Sequence, residues 1–452
     1  MELNQEVFAV ESLTTTFGKS SRPSPLKAFL HPQNFVFDDT DRILVDISLS
    51  ALATASRPEK GNIVFAPMTF ELAGPRDRVF WDPATTKVAM CTCGGLAPGL
   101  NSVLQSLVNV LHDRYHVTNI FGVPFGYYGF SHDPESKRFR FGWRRLDSQT
   151  VQNLDTEAGS VLGSSRGNSD PVAIVDALVM RDINILFTIG GDGTLAGAKA
   201  IHDEIKKRNL PITIVGIPKT IDNDILWVSK SFGFETAVAK AVDAIKCAHT
   251  EAKSAFNGIG LVKLMGRNSG ALTASAAAAT SGIDFILVPE VEIVLEGEAG
   301  LLNHLVRKVM DKGYATVVVA EGAGQNLLAQ GEKEFDASGN TKLKDIGRFL
   351  QAKILEEFKR LNIETTLKYI DPSYMLRAQP PSADDSFFCS TLGQHAAHAA
   401  MAGKTGVMIG YAHERFIHVP LQAVLLGKKQ LDTNGPLWLS VLSLTGQPPQ
   451  WK

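Results

Sequence analysis

The chain has 452 residues, 44% hydrophobic and 20% charged, an ordinary globular composition with room for two or three domains. A formal net charge of -2 gives no global field for nucleic acid or an anionic membrane, so any anion has to be held by local groups. No apolar run approaches the ~20 residues that span a bilayer, and the cysteines come without a companion His/Cys cluster, which argues against zinc and for free thiols in a reducing compartment.

In chain order, MELNQEVFAVESLTTTFGKS lacks the basic start and apolar core of a secretory leader, and the closing PPQWK is no peroxisomal tripeptide, so a cytoplasmic chain is expected. Residues 1–85 read as an N-terminal extension: SSRPSPLKAF is irregular, RILVDIS suits a short strand, and no chemistry is apparent. From residue 86 short apolar runs alternate with helical stretches. KVAMCTC is a strand with Cys91 and Cys93 pointing the same way, followed by a Gly/Pro turn and the helix LNSVLQSLVNVLHD, on which Leu104, Leu107 and Leu111 share a face. NIFGVPFG, NILFTIGG and ITIVGIPK are strands; PVAIVDALVM and LAGAKAIHDEIKKRN are helices. FETAVAKAVDAIKCAH puts Val238, Val242 and Ile245 on one helix face, and GIGLVKLMG, DFILVPE and ATVVVAEGAG are apolar runs of the buried-strand kind. The alternation predicts an α/β fold, doubly wound, with mainly parallel sheets covered on both faces and enough βα units for two domains. In such folds ligands bind at the carboxyl ends of the strands.

The unusual residues fall at those ends. CTCGGLAPGLN brings a strand through Gly94 and Gly95 into a helix, where backbone N–H groups and the helix N-terminus suit a phosphate; a tight turn without ligand explains it equally. In LGSSRGNSD, Arg166 suits a phosphate or plain solvent. FTIGGDGT carries Gly191, Asp192, Gly193 and Thr194 between strand and helix; a carboxylate beside a phosphate makes sense with Mg²⁺ between them, and Gly193 leaves space above the turn. GIPKTIDNDI follows a strand with Lys219, Thr220, Asp222, Asn223 and Asp224. Extended, it puts Thr220, Asp222 and Asp224 on one face, where an ionised carboxylate can take a proton from a sugar hydroxyl. LMGRNSG ends a strand with Met265, Gly266 and Arg267, AEG ends another with Glu321, which is either a hydroxyl ligand or a helix cap, and YIDPSYMLR places Tyr374 and Arg377 on one turn. His395 and His398 in GQHAAHAA lack a third ligand and read as packing.

GGDGT, PKTIDND, MGR and the AEG glutamate, in that order and spacing, resemble the 6-phosphofructokinase family over residues of about 72 to 425. ELAGPRDRVFWDP, DPSYMLRA and PPSADDSFFC are most similar to its long-chain ATP-using branch of plants and kinetoplastids. The resemblance implies two Rossmann-like doubly wound α/β domains, 86–233 with 376–426 for the phosphoryl donor and 234–375 with 427–452 for the sugar, facing a common cleft and assembled as a homotetramer. It implies phosphoryl transfer from ATP with Mg²⁺ to the 1-hydroxyl of fructose 6-phosphate. Asp222 is then the general base, with Lys219, Asp224 and Thr220 at the transfer centre and Asp192 holding the metal. Gly94, Gly95, Arg166, Gly167, Gly191, Asp192, Gly193 and Thr194 line the nucleotide. Thr220, Ile221, Asp222, Met265, Gly266, Arg267, Glu321, Tyr374, Met375, Leu376 and Arg377 hold the sugar phosphate.

Two positions bear on the donor. Lys219 stands where bacterial ATP enzymes have glycine and pyrophosphate users share the lysine, whereas Gly193 stands where pyrophosphate users carry an aspartate that crowds out a nucleotide; the space at Gly193 favours ATP, with pyrophosphate the alternative. AFNGIG lacks the arginine that bacterial relatives carry before MGR, so arginines lent by a neighbouring subunit are not located, and no effector site is legible. NAD kinases and lipid kinases share GGDGT but not PKTIDND with MGR, and a non-catalytic subunit of this fold tends to lose the carboxylates that Asp192 and Asp222 retain.

Overall fold

The structure is a computed structural model that describes residues 15–28, 36–49, 56–59, 62–65, 68–167, 170–328 and 341–451. The leader and tripeptide readings of the chain ends, and Asn168 and Ser169 after Arg166, lie wholly or partly outside the described residues. The chain divides into two compact units. The first takes the described residues of Met1–Thr220 with Ile225–Phe232 and Pro380–Gly427; the second takes those of Ile221–Asp224, Gly233–Gln379 and Lys428–Lys452. This division differs from the expected boundaries in joining the described residues before 86, expected as a separate extension, to the first unit, and in grouping Ile221–Asp224 and 376–379 with the second unit.

In the first unit five parallel strands lie in the order Asn119–Val123, Lys87–Thr92, Ile185–Gly190, Thr213–Pro218 and Val407–Ala412. Counted along the chain this is 2-1-3-4-5, a doubly wound order whose direction of winding reverses between Lys87–Thr92 and Ile185–Gly190. The strands read as continuous apolar runs because both faces are covered: Ile185, Leu186, Phe187 and Ile189 are all fully buried, each contributing roughly 1.5–3 kcal/mol. The flanking helix Pro171–Met180 starts where Asp170 accepts the Val172 N–H and Pro171 supplies a preset φ.

The segment before residue 85 is not an appendage. Thr69–Leu72 and Arg42–Leu44 continue the same sheet beyond the antiparallel strand Arg415–Pro420, with Arg144–Leu146 antiparallel at the opposite edge. Glu71 fastens this edge: its buried carboxylate meets Arg76 at 2.6 Å, Lys404 at 2.8 Å and His418 at 3.2 Å. A strand of four residues is too short to show a period in the sequence, and its partners lie far along the chain.

The second unit has four parallel strands in the order Phe285–Leu287, Tyr314–Ala320, Gly258–Leu264 and Thr366–Ile370. One face carries the helix Phe234–Ser254. Its buried stripe is Ala237, Ala241, Ile245, Ala248 and Ala252, so Ile245 faces the sheet as expected while Val238 and Val242 are only half-buried. The reason is close approach: a Cβ at Gly260 would stand 2.6 Å from the Ala248 carbonyl oxygen and one at Gly258 2.0 Å from that of Ala252. Alanine facing glycine is what this spacing admits. The other face buries Leu301, Leu305, Val309, Leu350, Ile354 and Phe358 against Ile259, Leu261, Val317 and Val319.

Glu71→Ala is expected to lower the unfolding free energy by about 3 kcal/mol, because it leaves buried cations with one carboxylate fewer. A denaturation midpoint equal to wild type would remove the Glu71 network from the forces that hold this edge.

Candidate active site

The loops of the first unit meet at the carboxyl ends of Lys87–Thr92, Ile185–Gly190 and Thr213–Pro218. Thr92 Oγ1 donates to the Gly163 carbonyl at 2.6 Å, the Gly94 N–H to Ser165 O at 2.9 Å, and Ser164 Oγ to Gly94 O at 2.6 Å. The glycine turn and the loop before Arg166 are thereby stitched together, with Arg166 exposed just beyond. The Gly94 N–H is thus bonded within the protein. At this glycine φ is +84°, and a Cβ there would stand 3.7 Å from Lys219 Nζ. The Lys219 N–H donates to Gly190 O at 3.0 Å, and the Lys219 carbonyl lies 3.2 Å from where a Gly191 Cβ would be. Lys219 is 6% exposed; a Cβ at Gly191 would press on its carbonyl, whereas one at Gly94 would make only an ordinary contact with its Nζ.

Asp192, Gly193 and Thr194 form the first turn of the helix Asp192–Lys207 and not a loop before it. The N–H groups of Thr194 and Leu195 both return to Gly191 O, at 2.9 and 3.0 Å, and the N–H groups ahead of them point out of the helix end. A Cβ at Gly193 meets no atom within 4 Å, so this position borders open space, whereas one at Gly190 would collide with Thr194 Oγ1 at 2.1 Å. Tyr127 holds the turn from behind, its hydroxyl donating to Thr194 O at 2.7 Å. Gly167, at φ +70°, turns the chain after Arg166. Thr220, the last of these residues, accepts from Ser231 Oγ at its carbonyl, at 2.8 Å.

In the second unit Ile221–Asp224 is bent, with Asn223 at φ +50°, so the extended alternation that put Thr220, Asp222 and Asp224 on one face does not hold. Asp222 is half-buried and Asp224 buried. The Lys429 N–H donates to Asp224 O at 2.9 Å, and Lys428 Nζ lies 3.9 Å from Asp224 Oδ2. Burial draws the Lys429 ammonium down to about 8 against the opposing pull of Asp224. Ile221 turns its side chain into the core, leaving only its main chain for a ligand.

The strand ends of this unit gather Met265, Gly266, Arg267 and Glu321. The Glu321 N–H donates to Leu264 O at 2.9 Å and that of Gly322 to Gly266 O at 3.1 Å. Two glycines permit this: Gly266 has φ +127°, and a Cβ at Gly322 would overlap the Arg267 carbonyl at 1.9 Å. Arg267 Nη2 donates to Thr341 O at 2.9 Å. Burial pushes the Glu321 carboxyl up; the charges of Arg267, Lys263 and Arg377 pull it back only in part, and Asp371 adds to the rise. Glu321 thus sits within the field of three cations. The Arg377 guanidinium lies 5.0 Å from the centre of the Tyr374 ring. Tyr374 and Met375 are 74% and 70% exposed, but Leu376 is fully buried, so its side chain is core and not a contact.

Sequence reasoning passed over Lys263 and Asp371, which pair at 2.8 Å beside these residues. The signal was present: Lys263 is the charged residue in GIGLVKLMG, an otherwise apolar strand. Among the described residues no group of three or more His, Cys, Asp or Glu side chains is placed to hold a metal. Asp192 alone, at a helix start, fits Mg²⁺, which takes one or two carboxylates and fills its shell with water and phosphate oxygens. Cys91 and Cys93 do point the same way, their Sγ atoms 3.9 Å apart and buried. No described helix is long and apolar enough to cross a membrane.

Glycine-built strand ends at the switch point of a doubly wound sheet define an anion-handling α/β protein. Residues 87–400 match the family model described as phosphofructokinase. The chain is 46% identical to a Borreliella burgdorferi protein named ATP-dependent 6-phosphofructokinase, over 86% of this chain and 87% of that one. It is 41% identical to the Trypanosoma brucei brucei protein of that name, over 94% and 85%. It is 42% identical to Arabidopsis thaliana ATP-dependent 6-phosphofructokinase 5, chloroplastic, over 91% and 75%. In fold it is similar to a pyrophosphate-dependent phosphofructokinase from Nitrosospira multiformis, TM-score 0.64 at 17% identity over 81% of this chain and 93% of that one. The chain belongs to the phosphofructokinase family.

Gly190→Ala is expected to destabilise the protein by ~1–3 kcal/mol through the Thr194 collision, while Gly193→Ala leaves stability equal or up to ~1 kcal/mol higher, as alanine suits a helical turn. Thermal melts of the two variants check the contrast; a reversed order would contradict the geometry of this turn.

Proposed function

We propose that this protein transfers the γ-phosphoryl group of ATP to the 1-hydroxyl of fructose 6-phosphate, giving fructose 1,6-bisphosphate and ADP. The observation that carries the reading is the open space over Gly193, at a helix start flanked by Asp192 and Lys219. The relatives' names, ATP-dependent 6-phosphofructokinase, support the same donor. The first unit supplies the donor contacts: Gly94, Gly95, Arg166, Gly167 and the turn from Gly191 to Thr194. The second unit supplies the acceptor contacts: Met265, Gly266, Arg267, Glu321, Tyr374, Met375, Arg377 and the main chain of Leu376. Thr220 and Ile221 join the two sets covalently.

In the transfer, Asp222 accepts the proton of the 1-hydroxyl as its oxygen bonds to the γ-phosphorus and the bond to the ADP oxygen breaks. Most of the rate comes from alignment and charge compensation, with a modest part for the base. Lys219 and Asp224 tune the transfer centre, and Asp224 keeps its own turn in place through the Lys429 N–H. Mg²⁺, held by Asp192 and the phosphate oxygens, would neutralise charge on the donor. Arg267 and Arg377 neutralise the 6-phosphate and ionised Glu321 accepts from sugar hydroxyls. Because burial raises Glu321, that acceptance is lost on acidification earlier than for an ordinary glutamate. The reading extends to a cytoplasmic homotetramer, which sedimentation and fractionation test; one relative is named chloroplastic.

A coupled assay with fructose 6-phosphate and either ATP or pyrophosphate is the direct test. Turnover with pyrophosphate alone would overturn the donor, and turnover with neither would favour a non-catalytic subunit. Asp222→Ala is expected to lower kcat by at least ~10²-fold with little change in KM; an unchanged kcat removes Asp222 as the base. Gly193→Asp is expected to raise the KM for ATP by ~10-fold or more, by filling the space over the turn with like charge. Equal ATP kinetics in that variant would sink the donor assignment.

A further inference from the structure

In the second unit an ammonium group joins three element ends. Lys263, next to last in the strand Gly258–Leu264, places Nζ 2.8 Å from Asp371 Oδ2 and 3.3 Å from Asp345 Oδ1, with its side chain 12% exposed. Asp345 caps the helix Ile346–Arg360 by accepting the Arg348 N–H at 3.1 Å, and the Tyr369 hydroxyl donates to it at 3.3 Å. Asp371 follows the neighbouring strand Thr366–Ile370 and accepts from both the N–H and the hydroxyl of Ser373, the first residue of the helix Ser373–Arg377. That helix is a short one, and only Leu376 among its residues is buried. The first residue of that helix is bonded to the Asp371 carboxylate, and the carboxylate is held by Lys263.

The strand that carries Lys263 ends in Met265, Gly266 and Arg267, and the helix fixed through Asp371 ends in Arg377. We propose that Lys263 is a positioning residue for the sugar phosphate: through Asp371 it sets where the helix bearing Arg377 stands relative to the strand end bearing Arg267. This rests on assigning those two arginines and Glu321 to fructose 6-phosphate. Two phosphate-binding guanidinium groups on separate elements act together only if their spacing is fixed, and displacements on the order of 1 Å already weaken such cooperation. Asp371 is suited to the task. Burial pushes its carboxyl up, but the bonds from Lys263 and Ser373 outweigh burial and hold it below the usual range, so it stays an anion. Lys263 is likewise held as a cation: burial opposes its charge and the carboxylates more than restore it. The same cation acts on Glu321, which faces Arg267, Lys263 and Arg377 as positive groups and Asp371 as a negative one.

The test uses the full chain with fructose 6-phosphate and ATP, comparing Lys263→Met, Lys263→Arg, Asp371→Asn and Arg267→Ala. Lys263→Met is expected to raise the KM for fructose 6-phosphate on the order of tenfold to a hundredfold, with kcat and the KM for ATP within about threefold of wild type. Lys263→Arg, which keeps the cation, recovers most of that loss, and Asp371→Asn shifts the same constant in the same direction. Combining Lys263→Met with Asp371→Asn adds little, as for two members of one unit. The acid limb of kcat/KM for fructose 6-phosphate moves to higher pH in Lys263→Met, since Glu321 loses one of its cations. An unchanged KM for fructose 6-phosphate in Lys263→Met, while Arg267→Ala raises it, overturns the positioning role and leaves the site assignment standing. An unchanged KM in Arg267→Ala overturns the site assignment itself. Equal losses for both substrates in Lys263→Met reduce Lys263 to a general structural part. If Lys263→Met shows no folding transition, Asp371→Asn decides by the same comparison.

Discussion

The packing of one lysine between two glycine turns is the constraint on which the first unit's chemistry depends. Lys219 is almost fully buried, with its Nζ beside Gly94 and its carbonyl so near Gly191 that a Cβ there would be tight. A side chain at Gly94 would also have to adopt a left-handed φ. The 2-1-3-4-5 strand order brings those two turns together, because the first and third strands of the unit are neighbours whose connections leave in opposite directions. The gathering of these turns is therefore a result of topology first and of residue choice second. Gly191 and Gly193 then divide their work: one makes room for the Lys219 carbonyl, the other opens the helix end to whatever is bound.

The second unit solves a related problem with different means. Its strand ends are brought together by glycines at 266 and 322, which let Arg267 and Glu321 lie on adjacent strand extensions. Burial and opposing charges are closely balanced there. Glu321 rises despite three cations, while Asp371 falls despite burial, because Asp371 accepts direct hydrogen bonds and Glu321 feels mostly through-space attraction. Two carboxylates in one neighbourhood thus reach opposite tendencies, one suited to sensing protons and one to holding a shape.

Much of this was legible in the sequence. Long apolar runs separated by helical stretches fixed the α/β class, since buried parallel strands cannot alternate. Asp192, Gly193, Arg267 and Glu321 stood out because polar or glycine residues at strand ends break an otherwise apolar pattern. What stayed hidden has physical reasons. The strand at Glu71 pairs on one side with a strand more than three hundred residues away, which no local period reports. Asn223 is left-handed, and neither of its neighbours signals that an expected extended run will bend. Val238 and Val242 looked like core, but the helix lies so near Gly258 and Gly260 that alanines fill most of its buried stripe, beside Ile245. Lys263 was visible as a lone charge in a strand, yet its partners Asp345 and Asp371 come from elements that only the fold brings alongside.

The way the chain shares itself between its two units bears on how it is made. The middle strand Thr213–Pro218 of the first unit pairs with Val407–Ala412, and Glu71 awaits Lys404 and His418. A ribosome must therefore deliver nearly the whole polypeptide before that sheet can close, while residues 233–379 of the second unit emerge as one continuous stretch. Yet the second unit also awaits its last segment, where Trp451 joins the core and Gln447 bonds both the N–H and the carbonyl of Ile286, so both units close only near the end of synthesis. Chaperone demand in this protein should accordingly fall late, while the sheets of both units still carry open apolar margins.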